Sequence, residues 1–144
     1  MSINPDWMGV AKFSEVYCLQ DLLNNRKLLP DFGGFYGWSL DRNVMKPGRV
    51  LYIGKTEGEG GFRARFSDYL RKNPRQRQKN AHSAALFLQD HYLRKTPPEQ
   101  IFIHIAPFEG DSHLINLVEK AMMQYYRAWY NKSGMNSLTP FDTN

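Results

Sequence analysis

A chain of 144 residues that is 42% hydrophobic, 23% charged and 14% aromatic, with 11 Gly, 8 Pro and one Cys, is expected to fold as one globular domain over 1–144. The lone Cys18 excludes an internal disulfide framework and a tetrahedral Cys-based metal site, and the default setting is reducing and cytoplasmic. Nineteen Lys and Arg against 14 Asp and Glu leave +5, and five of those basic residues, Arg71, Lys72, Arg75, Arg77 and Lys79, fall in the acid-free stretch 71–80. Without them the two signs balance, so the whole excess is one basic insert suited to a polyanion, to which Arg63 adds. No window approaches the roughly 18 consecutive apolar residues of a membrane span, and the N-terminus has no signal-peptide pattern. A soluble, unprocessed protein is expected.

In chain order, residues 1–32 read as a helical extension, with a helix over Ser14–Asn25 capped by Ser14 and striped by Val16, Leu19, Leu22 and Leu23. Two aromatic and β-branched runs, 34–40 and 49–54, flank a Pro47-Gly48 turn signal and predict an antiparallel hairpin. After the glycine-rich bend at 57–61, Phe62, Phe66, Tyr69 and Leu70 predict a helix to about Lys72. A second helix starts at an Asn80 cap and stops at Pro97 and Pro98. The apolar run 100–108 predicts a central strand buried on both faces. Asp111 or Ser112 caps a last helix whose stripe is Leu114, Leu117, Val118, Ala121, Met122, Tyr125, Ala128 and Trp129, with Gly134 as its stop.

Several motifs fail on inspection. Gly54-Lys55-Thr56 lacks the upstream glycine of a phosphate-binding loop, and Asp31-Phe32-Gly33 has no kinase catalytic loop to serve. The four His show no metal-ligand spacing, and His104 in an apolar strand reads as a hydrogen-bonded core residue. Glu119 is different. On a helical wheel it lies beside Ile115, Met122, Met123 and Tyr126, and neither its i+3 nor its i+4 neighbour can neutralise it. A hard divalent ion such as Mg²⁺ or Mn²⁺, held by one carboxylate, waters and a phosphate oxygen, would supply the missing charge.

Gly34-Phe35-Tyr36 and Tyr52-Ile53-Gly54 on adjacent strands, then Lys55, Arg65 with Tyr69 one turn later, and Glu119 on the last helix, make a sequence that resembles the GIY-YIG endonuclease superfamily. The resemblance runs from Gly34 to about Asn136 and is densest over 51–70. It implies an α+β fold with a small three-stranded antiparallel sheet flanked by helices. It also implies hydrolysis of phosphodiester bonds in DNA, or RNA, with one divalent metal on Glu119. Arg65 and Lys55 would then face the phosphate, Tyr36 or Tyr52 would serve as general base, and Tyr69 would orient the phosphate or the nucleophile. Cations near a phenol favour its ionised form, which makes a tyrosine base workable near neutral pH. The late asparagine of the family is Asn131 or Asn136, with a slight preference for Asn136. The first motif departs from the family in reading GFY, and 15 residues separate Tyr36 from Tyr52, more than is usual. Sequence-specific cutting would call for a homodimer, whereas an inactive nucleic-acid-binding module of the same fold is the alternative.

Overall fold

The computed structural model describes residues 9–70 and 83–131, which build a mixed α and β fold around a four-stranded antiparallel sheet. The elements are β1 (Glu15–Cys18), α1 (Leu19–Asn24), β2 (Gly34–Ser39), β3 (Val50–Thr56), α2 (Gly61–Tyr69), α3 (Ser83–Arg94), β4 (Phe102–Pro107) and α4 (Ser112–Tyr126). In space the strands run β1-β4-β2-β3. No helix of the described residues is long and apolar enough to cross a membrane.

The sheet corrects the expectation of three strands. Glu15–Cys18, assigned to a helix by its apolar spacing, instead pairs with β4 in the register Val16 opposite His104. The reason is the far edge of β4, which would otherwise leave a row of buried backbone groups unpaired. Val16, Tyr17 and Cys18 suit a pleated surface, and pairing continues on both sides through Ser14 N–H to the Ile105 carbonyl and Leu19 N–H to the Ile101 carbonyl. The helix is thereby cut to one and a half turns, which bury Leu19 and Leu22. The hairpin and the interior β4 agree with the sequence, and four consecutive β4 residues, Ile103 to Ala106, are buried.

Each face of the sheet carries its own apolar cluster. Tyr36 and Trp38 of β2 pack with Leu19, Leu22, Phe62, Phe66, Tyr69, Leu88 and Tyr92, which are contributed by α1, α2 and α3. Phe35 of β2, Ile53 of β3 and Ala106 of β4 pack with Ile115, Val118, Met122 and Tyr126 of α4. The last helix is therefore rotated from the stripe read in the sequence: Leu114, Leu117 and Tyr125 are exposed. Glu119 shares the side of the helix that carries Ile115, Met122 and Tyr126, closer to the core than a stripe-edge position would put it. Asp111 is the N-cap, accepting from Leu114 N–H, and the helix ends on Arg127 in the left-handed region at φ 50°. Asn80 and Gly134, offered as cap and stop, lie outside the described residues.

Two local features set the geometry of the hairpin and of α2. Between Trp38 and Ser39 the register slips by one residue, so that Leu51 and Tyr52 both pack toward the α2 cluster. At the start of α2, Gly61 has φ 50° and its missing Cβ leaves room for the Phe32 carbonyl, which accepts from Phe62 N–H.

Candidate active site

The site straddles β3, the edge strand beyond β2. On the α2 side, β2 carries Tyr36, β3 carries Tyr52, and α2 carries Arg65 and Tyr69 one turn apart. The Tyr36 and Tyr69 hydroxyls share a 2.5 Å hydrogen bond in a fully buried setting, with the rings edge to face at 5.8 Å. Tyr69 also hydrogen-bonds Tyr52, so its hydroxyl links the two strand phenols. Tyr36 lies opposite Gly54, and a Cβ there would collide with the Tyr36 phenol. Glycine at 54 is thus the space that the Tyr36 ring fills.

Burial dominates the acidity of all three phenols. Tyr36 and Tyr69 are pushed well above the ordinary tyrosine value, and Tyr52, partly exposed, is pushed up to about 12. The Arg65 guanidinium works against burial at each of them. No hydrogen bond or ion pair of Arg65 falls among the described residues.

On the α4 side, Ser112, Asn116 and Glu119 are spaced i, i+4, i+7 and form one strip facing the end of β3. Lys55 Nζ donates to Glu57 Oε2 and to Asn116 Oδ1, each at 2.6 Å, and Ser112 Oγ donates to Glu57 Oε1 at 2.8 Å. The bonds from Lys55 and Ser112 hold the Glu57 carboxyl below the ordinary carboxylate range. Glu119 is half-buried and makes no hydrogen bond or ion pair among the described residues. Burial raises its carboxyl above the usual range, Lys55 and then Arg65 oppose that rise, and Glu57 adds to it. Glu119 feels both cations and in turn acts on Tyr36 and Tyr52, so it joins the two sides electrostatically.

The late asparagine with a visible role is Asn131. Its side chain accepts from Ile53 N–H at 2.5 Å and donates to the Ile53 carbonyl at 2.8 Å, closing the outer edge of β3 beside Tyr52. Trp129 and Tyr130 lead into it through backbone bonds to the Val50 and Leu51 carbonyls. Asn136, together with Arg71, Lys72, Arg75, Arg77 and Lys79, lies outside the described residues. Arg63 is committed elsewhere: its guanidinium donates to the Leu29 and Lys27 carbonyls, which anchors α2 to the preceding loop. His104 donates from Nε2 to the Asp41 carbonyl at 2.7 Å, as a core histidine does. The glycine bend borders a cleft of about 760 Å³ lined by Asp31, Glu57, Glu59 and Glu109, a sign of charge that repels phosphate.

Glu57, Ser112 and Asn116 did not emerge from the sequence. Alternation along β3 puts residues 55 and 57 on one side, and the helical period puts 112 and 116 in line with 119; what links the two sets is the packing of α4 on β3. No group of three or more His, Cys, Asp or Glu is arranged to hold a metal ion among the described residues. Glu119 offers a half-buried carboxylate, the kind of oxygen donor that a hard, largely hydrated ion takes, and by itself it is not a zinc ligand set. Compared with models of known families, with curated proteins and with solved structures, the chain matches none of them.

Proposed function

We propose that the chain is a divalent-metal-dependent nuclease of the GIY-YIG type that hydrolyses phosphodiester bonds in DNA. The observation that carries this reading is the convergence across β3 of a half-buried Glu119, without an ion pair among the described residues, with Arg65 and three linked phenols. Each group has a task in attack on a phosphodiester, and burying a carboxylate beside two cations is costly unless the charge is used.

Glu119 would hold Mg²⁺ or Mn²⁺ together with waters and a phosphate oxygen. When bound, the ion supplies charge neutralisation at the phosphoryl oxygens and at the departing 3′ oxygen. Arg65, free of protein partners among the described residues, stabilises the charge that develops on the phosphoryl group during attack. Tyr52 is the phenol assigned as base, because it is the least buried of the three and its hydroxyl is held by Tyr69. It acts as the phenolate, a form that burial opposes and that Arg65 and a bound cation would favour. The phenolate takes the proton of the attacking water, and Tyr69 donates a hydrogen bond to it while keeping its own proton. Tyr36, sealed in the core on the far side of Tyr69, fixes the position of that donor. Asn131 holds the β3 backbone next to Tyr52 so that the phenol keeps its place.

The test is cleavage of supercoiled plasmid and of single-stranded DNA with Mg²⁺, with EDTA, and with Glu119→Ala. Nicking that requires the metal and falls by at least about 100-fold in the variant is the expected result. Tight, salt-sensitive DNA binding with no cleavage under any condition would overturn the reading.

A further inference from the structure

Lys55 is placed to meet a phosphate, yet in the free protein its ammonium is already engaged. The Glu57 carboxylate sits on it at 2.6 Å and receives a second hydrogen bond from Ser112 Oγ at 2.8 Å, so two donors from two elements converge on one internal anion. Lys55 is also held by Asn116 Oδ1, which fixes the ammonium independently of Glu57. Glu57 itself lies on the exposed, glycine-rich bend, next to Gly58, whose missing side chain leaves open space. A carboxylate bound by a lysine and a hydroxyl occupies the position that a phosphate oxygen would take with the same donors. Its charge also screens Lys55 from an approaching polyanion.

Resting on the nuclease reading, we propose that Glu57 is a built-in competitor for phosphate. It covers an anion subsite made by Lys55 and Ser112, and a substrate phosphate takes that subsite by displacing it. Ligand entry then turns the Glu57 side chain out to solvent, and Asn116 keeps Lys55 in place while the anions exchange. Glu57 touches no reacting atom; it acts through Lys55.

The experiment measures binding with catalysis switched off. A fluorescein-labelled DNA duplex of about 20 base pairs is titrated in EDTA with wild type, Glu57→Gln, Glu59→Gln, Lys55→Ala and the Lys55→Ala/Glu57→Gln double variant. Inorganic pyrophosphate is titrated in parallel by NMR. Glu59→Gln removes the same charge from the same bend two residues away. Glu57→Gln is expected to bind both probes about two- to fivefold more tightly than Glu59→Gln at low salt, a gain that shrinks as salt rises and is absent in the Lys55→Ala background. Equal or weaker binding of both probes by Glu57→Gln would overturn the proposal. A gain for pyrophosphate with no DNA binding by any variant would support the covered subsite and overturn the nuclease reading. No gain for either probe, together with DNA cleavage by the wild type once Mg²⁺ replaces EDTA, would do the reverse.

Discussion

The two sides of β3 solve opposite problems with neighbouring residues. On the α2 side, Tyr36, Tyr69 and the partly exposed Tyr52 are locked by ring packing and a 2.5 Å hydroxyl contact, and water is excluded from two of the three. On the α4 side, a half-buried Lys55 and the exposed Glu57, Ser112 and Asn116 are tied by bonds that solvent or a ligand can replace. Proton positions are held best where the surroundings cannot move, whereas charge exchange with a polyanion needs groups that can change partners. Glu119, half-buried on α4 and felt by both cations, belongs to both regimes.

Glycine substitutions separate the two sides most sharply. Gly54→Ala drives a methyl group into the Tyr36 phenol, within a core that has no room for it. It is expected to cost about 2 kcal/mol and several degrees of Tm by calorimetry. Gly58→Ala, on the open bend, should stay within about 0.5 kcal/mol of wild type. Equal losses at the two positions would erase the contrast between a rigid and an adaptable side.

A smaller effect of opposite sign is expected at Glu119. Burial raises its folded pKa, so the native state holds the proton to higher pH than the unfolded chain does, and stability is lost as pH rises through that window. Glu119→Gln removes the cost of the buried charge. The variant should be more stable than wild type at pH 7 by less than about 1 kcal/mol, because water reaches part of the carboxylate. Below the unfolded carboxylate pKa of about 4.3 the difference should vanish. Denaturant melts at pH 7 and pH 4 read it, and a destabilised variant at pH 7 would mean that Glu119 already has a partner.

The strand tyrosines, Lys55, Arg65 and Tyr69 stood out in the sequence through the motif resemblance, and Glu119 also through its place beside the apolar stripe; in the structure they come from β2, β3, α2 and α4 around the edge strand β3. Less was legible where tertiary pairing outweighs local pattern. Val16, Leu19 and Leu22 do fit a helix, but the open edge of β4 takes Glu15–Cys18 as a strand. In α4 the apolar residues cover so much of the circumference that spacing alone does not fix the phase; the sheet selects Ile115, Val118, Met122 and Tyr126. Asn131 and Glu57 owe their roles to contacts with residues far along the chain or on another element, Ile53 and Ser112, which no local rule reveals.

The central claim is a division of labour in which Tyr52 moves the proton and Glu119 holds the metal. Single-turnover plasmid nicking over a range of Mg²⁺ concentrations, in wild type, Tyr52→Phe and Glu119→Gln, tests it most directly. The account predicts that Tyr52→Phe lowers the rate at saturating Mg²⁺ by about 100-fold with the half-saturating concentration unchanged. Glu119→Gln should show no saturation in the concentration range that serves the wild type. A Glu119→Gln variant that cuts at the wild-type rate with the wild-type Mg²⁺ dependence would contradict it.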